Sequence, residues 1–126
     1  MKHIDILIID DEKKFAVMLA KRIELRGCSC EICYDGKTAL DWIEKHANSV
    51  TLILLDLQLP DIYGTRVLSM IKIINPAIPI IILTGHGTEK DRQQCDKLGA
   101  YMFIHKPLSI DKLMTILEQI KGTHEC

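Results

Sequence analysis

Short aliphatic runs alternate along the chain with segments whose apolar residues recur at helical spacing. The most apolar run spans 52–55, ends at Asp56 and is followed by Pro60 and Gly64. Because every position of this run is aliphatic, it predicts a strand buried on both faces, as in the middle of a parallel sheet. Four further runs predict strands at 4–9, 29–33, 79–83 and 101–104.

A segment of helical periodicity follows each predicted strand. The first opens at 10–12 and stops at Gly27, the second follows a predicted turn at 35–36, and the third ends before Pro76. The fourth opens with a capping-box sequence at 88–91 but carries little apolar surface, so we expect it to be the least firmly docked helix. The apolar faces comprise Phe15, Leu19, Ile23; Ala39, Leu40, Ile43, Ala47; Val67, Leu68, Ile71, Ile74; Cys95, Leu98; and Ile110, Leu113, Met114, Leu117, Ile120.

Five strand-helix units without a break in composition predict one α/β domain over residues 1–126, with a doubly wound five-stranded parallel sheet and five helices on both faces, a flavodoxin-like fold. Right-handed crossovers leave few topologies. The aliphatic strands 52–55 and 80–83 belong in the middle of the sheet, and the second and fifth strands suit its edges. The predicted order is therefore 2-1-3-4-5, with the winding reversed between the first and third strands.

Composition excludes several classes of function. The net charge of −1 over 126 residues gives no basic patch for nucleic acid or for an anionic membrane. No signal peptide and no run of ~20 apolar residues is present in the sequence, so we expect a cytoplasmic protein that does not bind membranes. The five cysteines are then expected to be reduced thiols. The cluster at Cys28, Cys30 and Cys33 lacks the second pair that a structural zinc site needs.

Polar groups follow four of the five predicted strands. They are Asp10-Asp11 after the first, Asp56 after the third, Thr84-Gly85 after the fourth and His105-Lys106-Pro107 after the fifth. Taken singly, such residues are more often helix caps, turn residues or solvated charges. Because the carboxyl ends of parallel strands meet at one edge, and ligands bind there at the switch point, the set predicts a functional site.

The residue types indicate phosphoryl chemistry with a metal ion. Carboxylates at Asp10, Asp11 and Asp56 would repel one another by roughly a few kcal/mol per pair, so they require a hard divalent cation, and oxygen ligands of this kind suit Mg²⁺. A phosphoryl group would bring about −1.5 to −2 charge, which the metal, the Lys106 ammonium and the Thr84 hydroxyl could bind. Asp56, central in the set, is the candidate oxygen nucleophile.

From Ile4 to about Ile120, the sequence resembles the response-regulator receiver domains of two-component signalling. The resemblance is carried by five features in combination: the acid pair Asp10-Asp11, the strand ending at Asp56, Pro60 and Gly64 four and eight residues later, Thr84-Gly85, and Lys106-Pro107 preceded by Phe103.

The resemblance implies a role for each matching residue. Asp56 would be the phosphoacceptor, and Thr84 and Lys106 would hold the phosphoryl oxygens. Asp11, Asp56 and the backbone carbonyl of Gln58 would bind Mg²⁺ directly, and Asp10 would bind it through water. Phe103 would act with Thr84 as the switch, and the Lys106-Pro107 bond would be cis.

The implied function is signalling rather than metabolic catalysis. The domain would take a phosphoryl group from a sensor histidine kinase or phosphotransfer protein, assist its own phosphorylation and autodephosphorylation, and switch the surface of the fourth helix, fifth strand and fifth helix. That surface would control an output domain or partner, or bind a second copy of the domain. Tyr101-Met102 stand where many DNA-binding regulators of this family carry acidic residues of a charged dimer face, which weakens the prediction of that dimer.

Two alternatives remain open. An aspartyl phosphatase or phosphotransferase of related fold needs a second acid two residues after its nucleophile, where Gln58 stands. A phosphorylation-independent interaction module would not need the complete set of site residues. A flavin or dinucleotide site is disfavoured, since no glycine-rich phosphate loop follows the first strand.

Overall fold

The computed structural model of the chain describes residues 2–122, so the fifth cysteine, Cys126, lies outside the described residues. Strands and helices alternate throughout, as the hydrophobic pattern predicts. In chain order they are β1 (Ile4–Ile9), α1 (Lys13–Leu25), β2 (Cys30–Cys33), α2 (Gly36–His46), β3 (Val50–Leu55), α3 (Gly64–Ile74), β4 (Ile80–Thr84), α4 (Glu89–Lys97), β5 (Met102–His105) and α5 (Ile110–Lys121).

The five strands form one parallel sheet in the order β2-β1-β3-β4-β5, which confirms the predicted fold class. In the middle of the sheet, Ile8 pairs with Ile32 on one side and with Leu54 on the other. The winding therefore reverses between β1 and β3, and the two strands that flank this switch point end in Ile9 and Leu55.

Each face of the sheet carries its own apolar layer. In β3, Ile53 and Leu55 pack toward the layer that contains the buried residues of α2, α3 and α4, and Leu52 and Leu54 pack toward the layer of α1 and α5. All four side chains are at most 1% exposed. This burial on both faces explains why the central strand is aliphatic at every position.

The ends of some strands differ from the prediction. β3 begins at Val50 rather than at 52, because Val50 already pairs with Ile4 while the polar Thr51, bonded through its hydroxyl to His3, interrupts the aliphatic pattern. β5 runs one residue later than predicted, since Tyr101 precedes the strand and His105 pairs with Thr84.

One helix start agrees with the prediction and another differs from it. The predicted capping box of α4 is present, with Thr88 and Asp91 bonded to each other's backbone amides, and Cys95 is the one residue that this helix buries. Asp35 is not a simple turn residue, because its carboxylate accepts the Thr38 amide at 2.7 Å and caps α2. Among residues 2–122, no helix combines the length and the hydropathy that a membrane crossing requires.

Candidate functional site

The acidic cluster lies at the carboxyl ends of β1 and β3. Ile9 pairs with Leu55, and the Asp56 amide donates to the Ile9 carbonyl at 2.9 Å, so the residues that follow the two strands are neighbours. Asp10 and Asp56 are each 2% exposed, whereas Asp11 is exposed. Carboxylate oxygens of all three residues lie within 4.8 Å of one another. The structure therefore brings the three predicted acids together.

Lys106 reaches this cluster from the loop after β5. Its Nζ lies 2.9 Å from Asp10 Oδ2 and 3.2 Å from Asp56 Oδ2, and it also donates to the carboxylate of Glu12. The ammonium group stands 4.3 Å from the centre of the Phe15 ring. The peptide bond between Lys106 and Pro107 is cis, as the resemblance implies.

Burial and neighbouring charges shift the pKa values of Asp10 and Lys106. Burial raises the pKa of Asp10 above its ordinary value, and the neighbouring Asp56 charge adds to the rise, although Lys106 and the Glu12 amide oppose it. Burial alone would lower the pKa of Lys106, but its bonds to Glu12 and Asp10 and the charges of Asp10 and Asp56 together raise that pKa. The lysine is therefore a fixed cation facing several carboxylates, and the balance of charge still favours a second cation.

Thr84 and Phe103 lie on the adjacent strands β4 and β5. Thr84 is fully buried, and its Oγ1 accepts the His86 amide at 3.3 Å, which leaves its own hydroxyl proton available. The Phe103 ring packs against Gly87, since a Cβ added at Gly87 would lie 2.3 Å from Phe103 Cζ and 3.0 Å from the Thr84 methyl group. Thr84 and Phe103 are therefore linked through the loop between β4 and α4.

Gln58 begins the loop between β3 and α3. Its amide donates to Asp56 Oδ1 at 3.3 Å, and its side chain is exposed. The loop closes at its base, where the Gly64 amide donates to the Leu57 carbonyl at 2.8 Å. A Cβ at Gly64 would lie 2.5 Å from the Leu57 Cα, so the closure requires glycine. A cleft above the acids is lined by Asp11, Glu12, Asp56, Gln58, Leu59, Pro60, Tyr63 and His86.

The sequence model of the response regulator receiver domain matches residues 6–118. The chain belongs to the response-regulator receiver family. This receiver is 36% identical over 125 residues to the nitrogen assimilation regulatory protein NtrX of Azorhizobium caulinodans, an alignment that covers 98% of this chain and 27% of that protein. The receiver spans about a quarter of the length of the curated relatives it matches.

Two solved structures extend the comparison. The receiver domain of NtrX from Brucella abortus matches with a TM-score of 0.81 and 30% identity, over 92% of this chain and 97% of that one. A response regulator from Burkholderia pseudomallei, crystallised with a phosphorylated aspartic acid, a calcium ion and citrate, matches with a TM-score of 0.81 and 25% identity, over 97% of this chain and 73% of that one.

The donor set of the receiver suits a hard cation. Three carboxylates within 4.8 Å supply only oxygen ligands, which Mg²⁺ and Ca²⁺ prefer to nitrogen or sulfur. Asp10 and Asp56 are buried. Without a metal ion, Lys106 is the only basic residue among those described that pairs with these two carboxylates and relieves their repulsion.

Sequence reasoning missed several residues around the site. Glu12 and Phe15 contact the Lys106 ammonium, and Tyr63 and His86 line the cleft. Glu12 directly follows the acid pair, so of these four residues it is the one whose place at the site could have been predicted from the sequence. The other three occupy loop or helix positions whose distance from the site depends on the folded backbone.

Proposed function

We propose that this receiver accepts a phosphoryl group on Asp56 from a phosphohistidine of a sensor kinase or phosphotransfer protein, and thereby controls an output domain or partner. The observation that carries the proposal is the environment of Asp56. Its buried carboxylate lies 3.2 Å from the Lys106 ammonium and within 4.8 Å of two other carboxylates, at the switch point of the sheet. A buried acid in such surroundings is a candidate for group transfer.

In the proposed reaction, a carboxylate oxygen of Asp56 attacks phosphorus while the bond from phosphorus to the donor imidazole breaks. Lys106 is already held against the cluster and would pair with a phosphoryl oxygen, exchanging part of its contact with Glu12. The Thr84 hydroxyl can donate to another oxygen, since its own oxygen serves as acceptor for His86. These groups position and neutralise charge, which is the main protein contribution to phosphoryl transfer.

Asp11 and Asp56, with the backbone carbonyl of Gln58, would hold Mg²⁺ directly, and Asp10 would hold it through water. The bound ion would supply positive charge to the phosphoryl oxygens. The proximity of the three carboxylates supports this assignment, as does the related Burkholderia regulator, which contains both a phosphorylated aspartic acid and a calcium ion.

The proposed output surface comprises α4, β5 and α5. Tyr101 is 45% exposed beside it, while Met102 is half-buried and packs toward the α1 and α5 layer. Phe103 packs toward the opposite layer, on the side of α4, and contacts Gly87 in the loop before that helix. A change at Thr84 would therefore reach this surface through Gly87 and Phe103, and an output domain, a partner or a second copy would read it.

The decisive experiment is phosphorylation with acetyl phosphate and Mg²⁺, followed by intact-mass measurement. The wild type is expected to gain one phosphoryl group, and Asp56→Asn none. Asp96→Asn, which alters an exposed acid of α4, is the matched control and should label like the wild type. Equal labelling of the Asp56→Asn variant would refute the assignment, and an unlabelled wild type would favour the phosphorylation-independent interaction module.

A further inference from the structure

The loop between β3 and α3 is fastened at two points. Its base is closed by the bond from the Gly64 amide to the Leu57 carbonyl. Its tip is fastened by Asp61, whose Oδ1 accepts the Gly36 amide at 2.8 Å and whose Oδ2 accepts the Lys37 amide at 2.9 Å. Gln58 lies between the two attachments. The carboxylate of Asp61 thus joins the loop beside Asp56 to the first turn of α2.

The fit between the loop and α2 is close. A Cβ at Gly36 would lie 3.1 Å from the Ile62 Cβ and 3.2 Å from Asp61 Oδ1, so the loop rests on the bare backbone of α2. Asp61 Oδ1 also accepts the Ile62 amide at 2.9 Å. These hydrogen bonds from backbone amides keep the pKa of Asp61 below its ordinary value, and the bond from Lys37 has the largest effect. The side chain is therefore a carboxylate at neutral pH.

We propose that Asp61 is a positioning residue, which holds the loop of residues 57–64 on α2 and so keeps Gln58 beside the Asp56 carboxylate in the geometry that Mg²⁺ binding uses. The inference rests on the proposed function, because Gln58 is assigned there as a backbone ligand. Asp61 is not among the residues that line the cleft above the acids, so it is not assigned as a ligand of the metal or of the phosphoryl group. It would act on Gln58 through the two intervening residues, Leu59 and Pro60. On its other side, Gln58 is held by the bond from its amide to Asp56 Oδ1.

The chain offers a matched control in Asp35. Asp35 and Asp61 both accept amide protons from the first turn of α2, but Asp35 belongs to the segment that leads into the helix and has no part in the loop. Removing either carboxylate removes a cap from the same helix, so Asp35→Ala and Asp61→Ala are expected to lower the melting temperature by comparable amounts. Their effects on the loop are expected to differ.

The test measures Mg²⁺ affinity by titration calorimetry and amide hydrogen exchange in metal-free protein. Asp61→Ala should weaken Mg²⁺ binding roughly tenfold, the lower range for loss of a group that orients a metal ligand. It should also speed exchange of the Gln58 and Gly64 amides, while Asp35→Ala leaves both properties within about twofold of wild type. Asp61→Asn keeps one acceptor oxygen, so its Mg²⁺ affinity and its exchange rates should lie between those of Asp61→Ala and Asp35→Ala.

The inference is overturned if Asp61→Ala and Asp35→Ala show the same Mg²⁺ affinity and the same exchange in residues 57–64, because Asp61 would then be a helix cap only. A wild type that binds no Mg²⁺ would overturn the proposed metal site instead. In that case the exchange comparison, which needs no metal, still decides whether Asp61 fixes the loop.

Discussion

At the scale of single residues, Lys106 supplies the positive charge that compensates the acids of the site. Its ammonium contacts the two buried carboxylates of Asp10 and Asp56 and the more exposed carboxylate of Glu12. Three acids share one cation, so the lysine is stabilised in its charged form while the acids remain undercompensated. The same clustering of acids that supports the proposed Mg²⁺ site makes the metal-free protein depend on this side chain.

The variant Lys106→Met should therefore lower the free energy of unfolding by about 3 kcal/mol at neutral pH, since removal of one partner leaves buried charges unpaired. Lys112→Met, at an exposed position of α5, is the control and should change the stability by less than about 0.5 kcal/mol. Urea denaturation in metal-free buffer measures both. Equal losses in the two variants would show that Lys106 does not compensate the cluster.

The pH dependence of this loss has a defined sign. The pKa of Lys106 is raised in the folded protein, so its contribution is complete below the unfolded lysine value of 10.5 and is lost only as the pH rises through the folded value. The pKa of Asp10 is also raised, so acidification neutralises it before the ordinary value of 3.8 is reached. The loss of unfolding free energy caused by Lys106→Met should accordingly become smaller as the pH falls toward 3.8.

Asp11 provides a separate test of the proposed metal site. It is exposed and is not among the acids that pair with Lys106, so Asp11→Ala should leave the metal-free melting temperature unchanged or slightly higher. In the wild type, Mg²⁺ at a hundredfold excess over Kd should add about 2.7 kcal/mol of stability. Thermal melts with and without Mg²⁺ should show this gain lost in Asp11→Ala and retained in Asp41→Ala. A full Mg²⁺ response in Asp11→Ala would contradict the site.

At the scale of elements, the helices differ in how much they bury. The nine residues of α4 bury only Cys95, whereas α3 buries Val67, Leu68 and Ile71 as well as Gly64 and Thr65. Opening free energies follow buried apolar contacts, so α4 is expected to exchange its amide protons faster than the other four helices. Native-state hydrogen exchange measures this order directly. Protection in α4 equal to that in α3 would show that its docking does not depend on apolar burial.

The hydrophobic pattern predicted these elements because each central strand is buried on both faces and each helix on one. It predicted their ends less well where polar side chains take part in the sheet or in caps, as Thr51 does in β3 and Asp35 does at α2. The candidate acids were predictable, since the carboxyl ends of parallel strands share one edge. The contacts of Glu12 and Phe15 with Lys106 were not, because they depend on the distance between segments more than 90 residues apart in sequence.

At the scale of the whole molecule, the site and the proposed output surface are joined by adjacent strands. Thr84 is the last residue of β4, and Phe103 of the neighbouring strand β5 pairs with Ile82 of β4. The side chains of Thr84 and Phe103 both lie against Gly87. The His105 Nε2 lies 3.0 Å from the Gly87 carbonyl, so β5 holds this loop by a ring contact and a hydrogen bond. In the proposed switch, a movement of Thr84 would therefore be passed to α4 through Gly87.

Two glycines of this loop, Gly85 and Gly87, form a matched pair for testing the proposed switch. A methyl group at Gly87 would lie 2.3 Å from Phe103 Cζ, while one at Gly85 would meet nothing within 4 Å. Gly87→Ala should displace the Phe103 ring and change amide exchange across residues 86–106 without any phosphoryl group. Gly85→Ala should leave that region as in the wild type.

Beryllofluoride, which mimics the phosphoryl group, should alter the same residues in the wild type, and Gly87→Ala should then respond less because its ring has already moved. This overlap follows if Thr84 and Phe103 act through one loop. If beryllofluoride changed only the loop around Asp56 and left 86–106 unaltered, the surface of α4, β5 and α5 would not be the output. If Gly87→Ala matched Gly85→Ala in exchange, the Phe103 contact with Gly87 would not transmit the signal.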